Sequence, residues 1–378
     1  MDNKPNKVFF PNLDGLRFIA FFAVFFHHAF LPEVADTERK SALFQFINAQ
    51  KQNGAMGVNL FFVLSGFLIT YLLLHEKNIR LKINIPNFYV RRILRIWPLY
   101  FIVVVAGFLL VPFIKAKMGE ALNETATLPY YVFFASNFEM MRKGLADSTI
   151  LNVLWSVGIE EQFYLVWPIV LSVLPRKTLV PVFLSIIIGS IVFRAFHAKE
   201  YYTLYFHTFS VCGDLILGGL VAWYSYHNKK FIDAIQKIPK LFIITVYVIG
   251  FILIIFDYLI FVGPAMQVIE RPIFALFFAF IIVEQNFAEH SWYKMSNNRF
   301  LSKWGNYTYG LYCLHTIGIL AAHILSEKIL KIHNLWALMA IDFTIALALA
   351  MLMAYISYHF FESPFLKLKN KFSYITRG

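Results

Sequence analysis

Arg17 and His28 stand eleven positions apart. In an α-helix that spacing is about 16 Å of rise and three turns plus roughly 20° of rotation. The two side chains therefore share one face near opposite ends of the helix. One end offers a planar cation, the other an imidazole able to exchange protons near neutral pH. His27 lies about 100° round and leaves that face. Arg91, Arg92 and Arg95 fall within five residues and present forked donors of the kind that pair with phosphate. Glu160 and Tyr164 share a face at i, i+4 within the segment 155–164, while Glu161 points elsewhere. Farther on, Tyr309, Tyr312 and His315 recur over seven residues.

Each group also has a plainer reading. Arg17 could snorkel to lipid headgroups while His28 caps a helix end. Arginines at an inner membrane boundary are what topology alone asks for. Acids near a helix start suit the macrodipole, and a lone buried histidine is more often a packing residue than a catalyst. Other chemistries lack their motifs. There is no His-Glu-x-x-His, no clustered Cys/His pair, no phosphate loop, no dinucleotide fingerprint and no Gly-x-Ser-x-Gly. No metal site and no tightly bound cofactor are expected.

The elements that must position these residues are set by composition. Of 378 residues, 59% are hydrophobic and 15% charged, and the 42 Phe outnumber all 34 Lys and Arg. A soluble core of this size could not hide so much apolar surface, so an all-α, polytopic membrane bundle is expected. Cys212 and Cys313 both sit in apolar runs, which excludes a disulfide framework. The net charge of +12 lies mostly in short loops rather than on a soluble patch, so nucleic acid is not an expected partner.

Runs of spanning length occur at 16–31, 58–74, 97–114, 151–174, 179–196, 209–226, 241–262, 266–283, 307–324 and 335–360. That gives about ten transmembrane helices. The run 128–138 is too short to cross and reads as interfacial or re-entrant. With the N-terminus inside, most Lys and Arg fall on the inner side, notably in 77–95, so both termini are expected in the cytoplasm. The first span has no clear small-residue cleavage site and is read as uncleaved. No linker divides the chain, so 1–378 is read as one integral-membrane domain without an appended soluble one.

Taken in order, six pieces resemble the type-3 acyltransferase family of integral-membrane O-acyltransferases. They are Leu13-Asp14-Gly15-Leu16-Arg17 with His28, the segment 57–69, Arg91 to Pro98, the segment 155–164, Tyr309 to His315, and Glu362-Ser363-Pro364-Phe365. The resemblance implies transfer of an acyl group, commonly acetyl, from cytosolic acyl-CoA to a hydroxyl of a cell-envelope carbohydrate or lipid-linked glycan. It places catalytic roles on His28 and Glu160 and donor binding on Arg17, Arg92 and Arg95. His28 would act as general base or take the acyl group transiently. Thr308 stands where the family often has Ser, and both carry a hydroxyl. The plasma (inner) membrane is the expected location. The protein would act alone or with a separate extracytoplasmic transferase. A proton-coupled transporter or lipid-linked glycan flippase is the alternative, since interior Arg, His and Glu suit it too.

Overall fold

The computed structural model describes residues 6–29, 41–119, 121, 123–330, 334–373 and 375–376. Residues 30 and 31, which close the first expected span, lie outside them. The long helices are α1 (Pro11–His28), α2 (Met56–Arg80), α3 (Ile85–Val105), α4 (Leu154–Val173) and α5 (Arg176–Phe196). They continue with α6 (Thr208–His227), α7 (Lys240–Ile255), α8 (Pro264–Phe287), α9 (Thr308–His323) and α10 (Leu335–Ile356). Among the described residues the only strand pairing is a two-residue parallel one, Asn6–Lys7 against Ile375–Thr376. It brings the two described ends of the chain to one side of the bundle.

Seven helical stretches are long and apolar enough to cross a membrane, or eight if Lys229–Gln236 and Lys240–Ile255, bent by 88°, form one span. This is the architecture of a multi-pass membrane protein. α1 and α4 are not among the seven. At 18 and 20 residues they are about 27 and 30 Å long, enough for a bilayer core. What lowers their apolar content is Asp14, Arg17, His27 and His28 on one and Glu160 and Glu161 on the other. The outer helices show the converse. Leu184, Ile188 and Val192 of α5, and Leu241, Val248 and Phe251 of α7, are exposed, as lipid-facing side chains must be.

Two expectations about chain breaks meet the structure differently. The run 128–138 does not cross: a five-residue helix, Leu128–Val132, is followed by a break and a second short helix, Ser136–Lys143. Phe134 takes φ 55° at the break, and its carbonyl accepts a 2.8 Å hydrogen bond from Gln162 Nε2. Pro364, whose ring and missing N–H predict that the last helix stops at the inner face, does not stop it. A π-helical turn, Ser357–Glu362, follows α10, and helix resumes over Ser363–Asn370 with Pro364 in its first turn. There the missing N–H removes no bond that the helix needs.

Close packing of α2 on α6 fixes the centre. A Cβ on Gly66 would overlap the Leu215 carbonyl, and one on Gly218 the Val63 carbonyl. Only glycine permits that approach, and it turns Ser65 of α2 away from α6. The start of α1 is pinned by Asn12, whose Nδ2 donates to Gln285 O at 2.7 Å while its Oδ1 accepts from Ser296 N at 2.9 Å.

Candidate active site

A cavity of about 290 Å³ runs through the bundle. Its floor is α2, from Glu76 at one end to Val58 at the other, about 27 Å of helix. The first helix reaches it only near its start, through Leu13 and Arg17. The lined space therefore follows the second long helix rather than the first. Ser156, Glu160 and Tyr164 enter from α4, Tyr309 and Tyr312 from α9, and Arg91, Arg92 and Arg95 from α3. Residues 8–10 and Lys369, Asn370 and Ser373 complete the rim beside the arginines.

The three arginines of α3 have unequal surroundings. Arg91 Nη2 pairs with Glu76 Oε2 at 2.9 Å, and Arg91 Nη1 donates to Phe372 O at 2.8 Å. Its charge is spent on tying α2, α3 and the C-terminal segment together. Arg92 lies over the Phe88 and Tyr164 rings, each centroid 5.5 Å from its guanidinium carbon, and its buried Nε has no hydrogen-bond partner. Among the described residues no carboxylate comes within 4 Å of Arg92 or Arg95. Arg17 is held at the same end by Asp14, one turn earlier, at 2.7 Å. This end thus gathers four guanidinium groups, of which Arg92 has a buried Nε without a hydrogen-bond partner.

Three consecutive polar residues of α4 diverge as helical geometry requires. Glu160 faces the cavity, accepting from Tyr164 O–H at 3.1 Å, and that hydroxyl meets Ser65 Oγ at 2.5 Å. Glu161 turns to α3, where Trp97 Nε1 donates to its Oε2 at 2.9 Å. Gln162 holds the broken 128–143 segment through Phe134 O and Asn137 Oδ1. One turn above Glu160, Ser156 Oγ lies 2.6 Å from Tyr312 Oη.

His28 does not line the cavity. It lies against His315: His315 Nε2 is 3.3 Å from His28 Nδ1, and His28 Nδ1 is 2.9 Å from Val24 O. His315 is fully buried, with its Nδ1 2.6 Å from Tyr312 O. His27 turns away, its Nδ1 2.8 Å from Lys51 O in the helix Ala42–Asn53.

So the structure brings Arg17, Arg92, Arg95 and Glu160 to one cavity and sets His28 one layer beyond it. Sequence reasoning had not singled out Ser65 or Ser156, and it weighed His315 as packing. Ser156, Glu160 and Tyr164 at steps of four were a usable signal for a polar face. The His28–His315 contact spans 287 positions and leaves no local trace. Among the described residues no group of His, Cys, Asp or Glu is arranged to hold a metal ion.

An all-helical membrane bundle with a carboxylate and several guanidinium groups along one cavity, and an imidazole pair outside its lining, suits a membrane-embedded transferase or carrier. Comparison with known proteins decides the family. The model of the acyltransferase domain, type 3, matches residues 10–359, and the chain belongs to that family of acyltransferases. It is 30% identical over 258 residues to O-acetyltransferase OatA of Staphylococcus aureus (strain NCTC 8325 / PS 47), covering 64% of this chain and 38% of that protein. It is also 30% identical over 191 residues to peptidoglycan O-acetyltransferase OatA of Listeria monocytogenes, covering 49% of this chain and 28% of that one. The matches thus cover well under half of these relatives' length. No solved structure matches the chain.

Proposed function

We propose that the chain moves an acetyl group from acyl-CoA, bound from the cytosol, to a hydroxyl of a cell-envelope carbohydrate, of which peptidoglycan is the relatives' example. The observation that carries this reading is one cavity that joins an arginine-rich mouth to Tyr312, whose ring lies 5.9 Å from that of His315 in the histidine pair. Arg92 and Arg95, with Arg17, hold the donor's phosphates, since a planar fork pairs with phosphate at two points. The pantetheine arm lies along α2, whose lining is mostly apolar. Both chain ends then lie in the cytoplasm, beside the donor mouth, and the membrane is the plasma membrane. At the far end His28 takes the proton of the acceptor hydroxyl as its oxygen attacks the thioester carbonyl. The C–O bond forms, the C–S bond breaks, and the CoA thiolate recovers the proton from the imidazolium. Glu160, anchored by Tyr164 and Ser65, orients the thioester region.

The test is acceptor-dependent release of CoA from labelled acetyl-CoA by purified protein. His28→Ala should abolish transfer while acyl-CoA still binds, a loss of the order of 100-fold or more. His27→Ala should keep most activity. Substrate flux without CoA release would instead make the protein a carrier, and full activity of His28→Ala would remove the base.

A further inference from the structure

We infer that His315 is a positioning residue that, together with the Val24 carbonyl, holds the Nδ1–H of His28 and leaves its Nε2 as the free base. The inference rests on the catalytic assignment of His28 and goes one residue beyond it. Its starting point is that a carbonyl oxygen can only accept a hydrogen bond. His315 Nδ1 lies 2.6 Å from Tyr312 O, so Nδ1 carries the ring proton. The other nitrogen of a neutral imidazole is then a bare acceptor. That acceptor, His315 Nε2, faces His28 Nδ1 at 3.3 Å, and the Val24 carbonyl faces the same Nδ1 at 2.9 Å. Two acceptors converge on His28 Nδ1, which must supply the proton. His28 Nε2 is left with its lone pair.

The arrangement is built, not incidental. His315 is fully buried, and its ring meets the edges of Phe21 and Phe25 at centroid distances of 6.0 and 6.4 Å. Both phenylalanines come from α1, the helix that carries His28. The same helix therefore clamps the acceptor ring and presents the donor to it. A ring held in this way costs no reorganisation when His28 becomes an imidazolium, and its Nδ1–H bond to His315 then becomes charge-assisted. The role matches that of the group that orients the base in a nucleophile–base pair, with a neutral nitrogen in place of a carboxylate.

The experiment uses the full chain, purified, with labelled acetyl-CoA as donor and acceptor-dependent CoA release as readout. His315→Phe keeps the ring and its packing but removes the acceptor. His315→Gln restores an acceptor near the position of Nε2, and His315→Asn places one too short to reach. The expected result is that His315→Phe and His315→Asn lower kcat by roughly 100-fold with KM for acetyl-CoA unchanged. His315→Gln should recover to within about tenfold of the parent protein. Nitrogen-15 spectra of histidine-labelled protein should show an unprotonated Nε2 at His28, assigned by its loss in His28→Gln. Activity of His315→Phe within about threefold of the parent, with His28→Ala inactive, would overturn this inference alone. A protonated Nε2 on His28 would overturn it too. An active His28→Ala would overturn both this inference and the base assignment beneath it.

Discussion

Two groups of buried arginines occupy opposite ends of the bundle, and they differ in how fully they are satisfied. At the end of α5, Arg194 donates to four acceptors: Val268 O, Leu204 O, Ser210 Oγ and Gln267 O, at 2.6 to 3.2 Å. Beside it Arg271 Nε donates to Asp214 Oδ2 at 2.7 Å, and its Nη2 lies 2.6 Å from the same oxygen as an ion-pair contact without a hydrogen bond of its own. At the cavity mouth Arg92 lies over the Phe88 and Tyr164 rings, and its buried Nε has no hydrogen-bond partner. Arg194 and Arg271 meet carbonyls, a hydroxyl and a carboxylate inside the fold, whereas among the described residues Arg92 and Arg95 have no carboxylate within 4 Å. A buried charge that is saturated holds helices together. One that is left unsaturated is kept for something that arrives later.

This contrast can be broken most severely at Arg271. Arg271→Met leaves Asp214 buried and unpaired, and should cost about 3–5 kcal/mol of stability. Thermal unfolding in detergent measures it, and adding Asp214→Leu should restore most of the loss. Recovery of neither would mean that the pair is not the relevant element. At the mouth the signs should reverse. Arg92→Ala and Arg95→Ala should leave the unfolding midpoint unchanged or slightly raised, because a costly unpaired group is removed. Each should weaken acyl-CoA binding by about 1.5–3 kcal/mol, the range for hydrogen bonds to charged groups. Lysine should rescue only part of it. If both alanine variants bind acyl-CoA normally, these arginines are topology anchors and the contrast fails.

Arg91 sharpens the comparison, because it sits at the mouth yet is satisfied. Arg91→Ala should cost about 1–3 kcal/mol in stability through the stranded Glu76, with a smaller effect on donor affinity than either neighbour. A larger affinity loss at Arg91 than at Arg92 would reverse the assignment. The smallest effect belongs to the pair Lys143–Glu139 at 2.8 Å, whose lysine is half-exposed while its glutamate is buried and also accepts from Thr127 N. Lys143→Ala should change stability by no more than about 1 kcal/mol and fade with added salt.

The sequence made part of this site legible and hid the rest for definite reasons. Arg92, Arg95 and Glu160 could be found because charge inside an apolar run is costly and so stands out. The divergence of Glu160 and Glu161 follows from 100° per residue. Yet α1 and α4 are poorer spans by composition than their neighbours for the same reason, so apolar length alone understates the bundle where it matters most. Nothing local separates Arg91 from Arg92: the distinction is made by Glu76, fifteen positions away, and by a carbonyl at Phe372. The path of the cavity along α2 was hidden as well, since Leu68, Ile69 and Leu72 look the same whether they face lipid or an acyl arm. Pro364 misled because a proline is compatible with a first turn as well as with a last one.

The donor mouth draws on residues 8–10 and 369–373, segments that leave the ribosome at nearly opposite times. Chains insert from the N-terminus onward, so α2 and α3 enter the bilayer while the wall that completes their cleft has yet to be made. Arg91 finds its Phe372 carbonyl only when that last segment folds back. The cavity wall is thereby completed only when the whole bundle is in place.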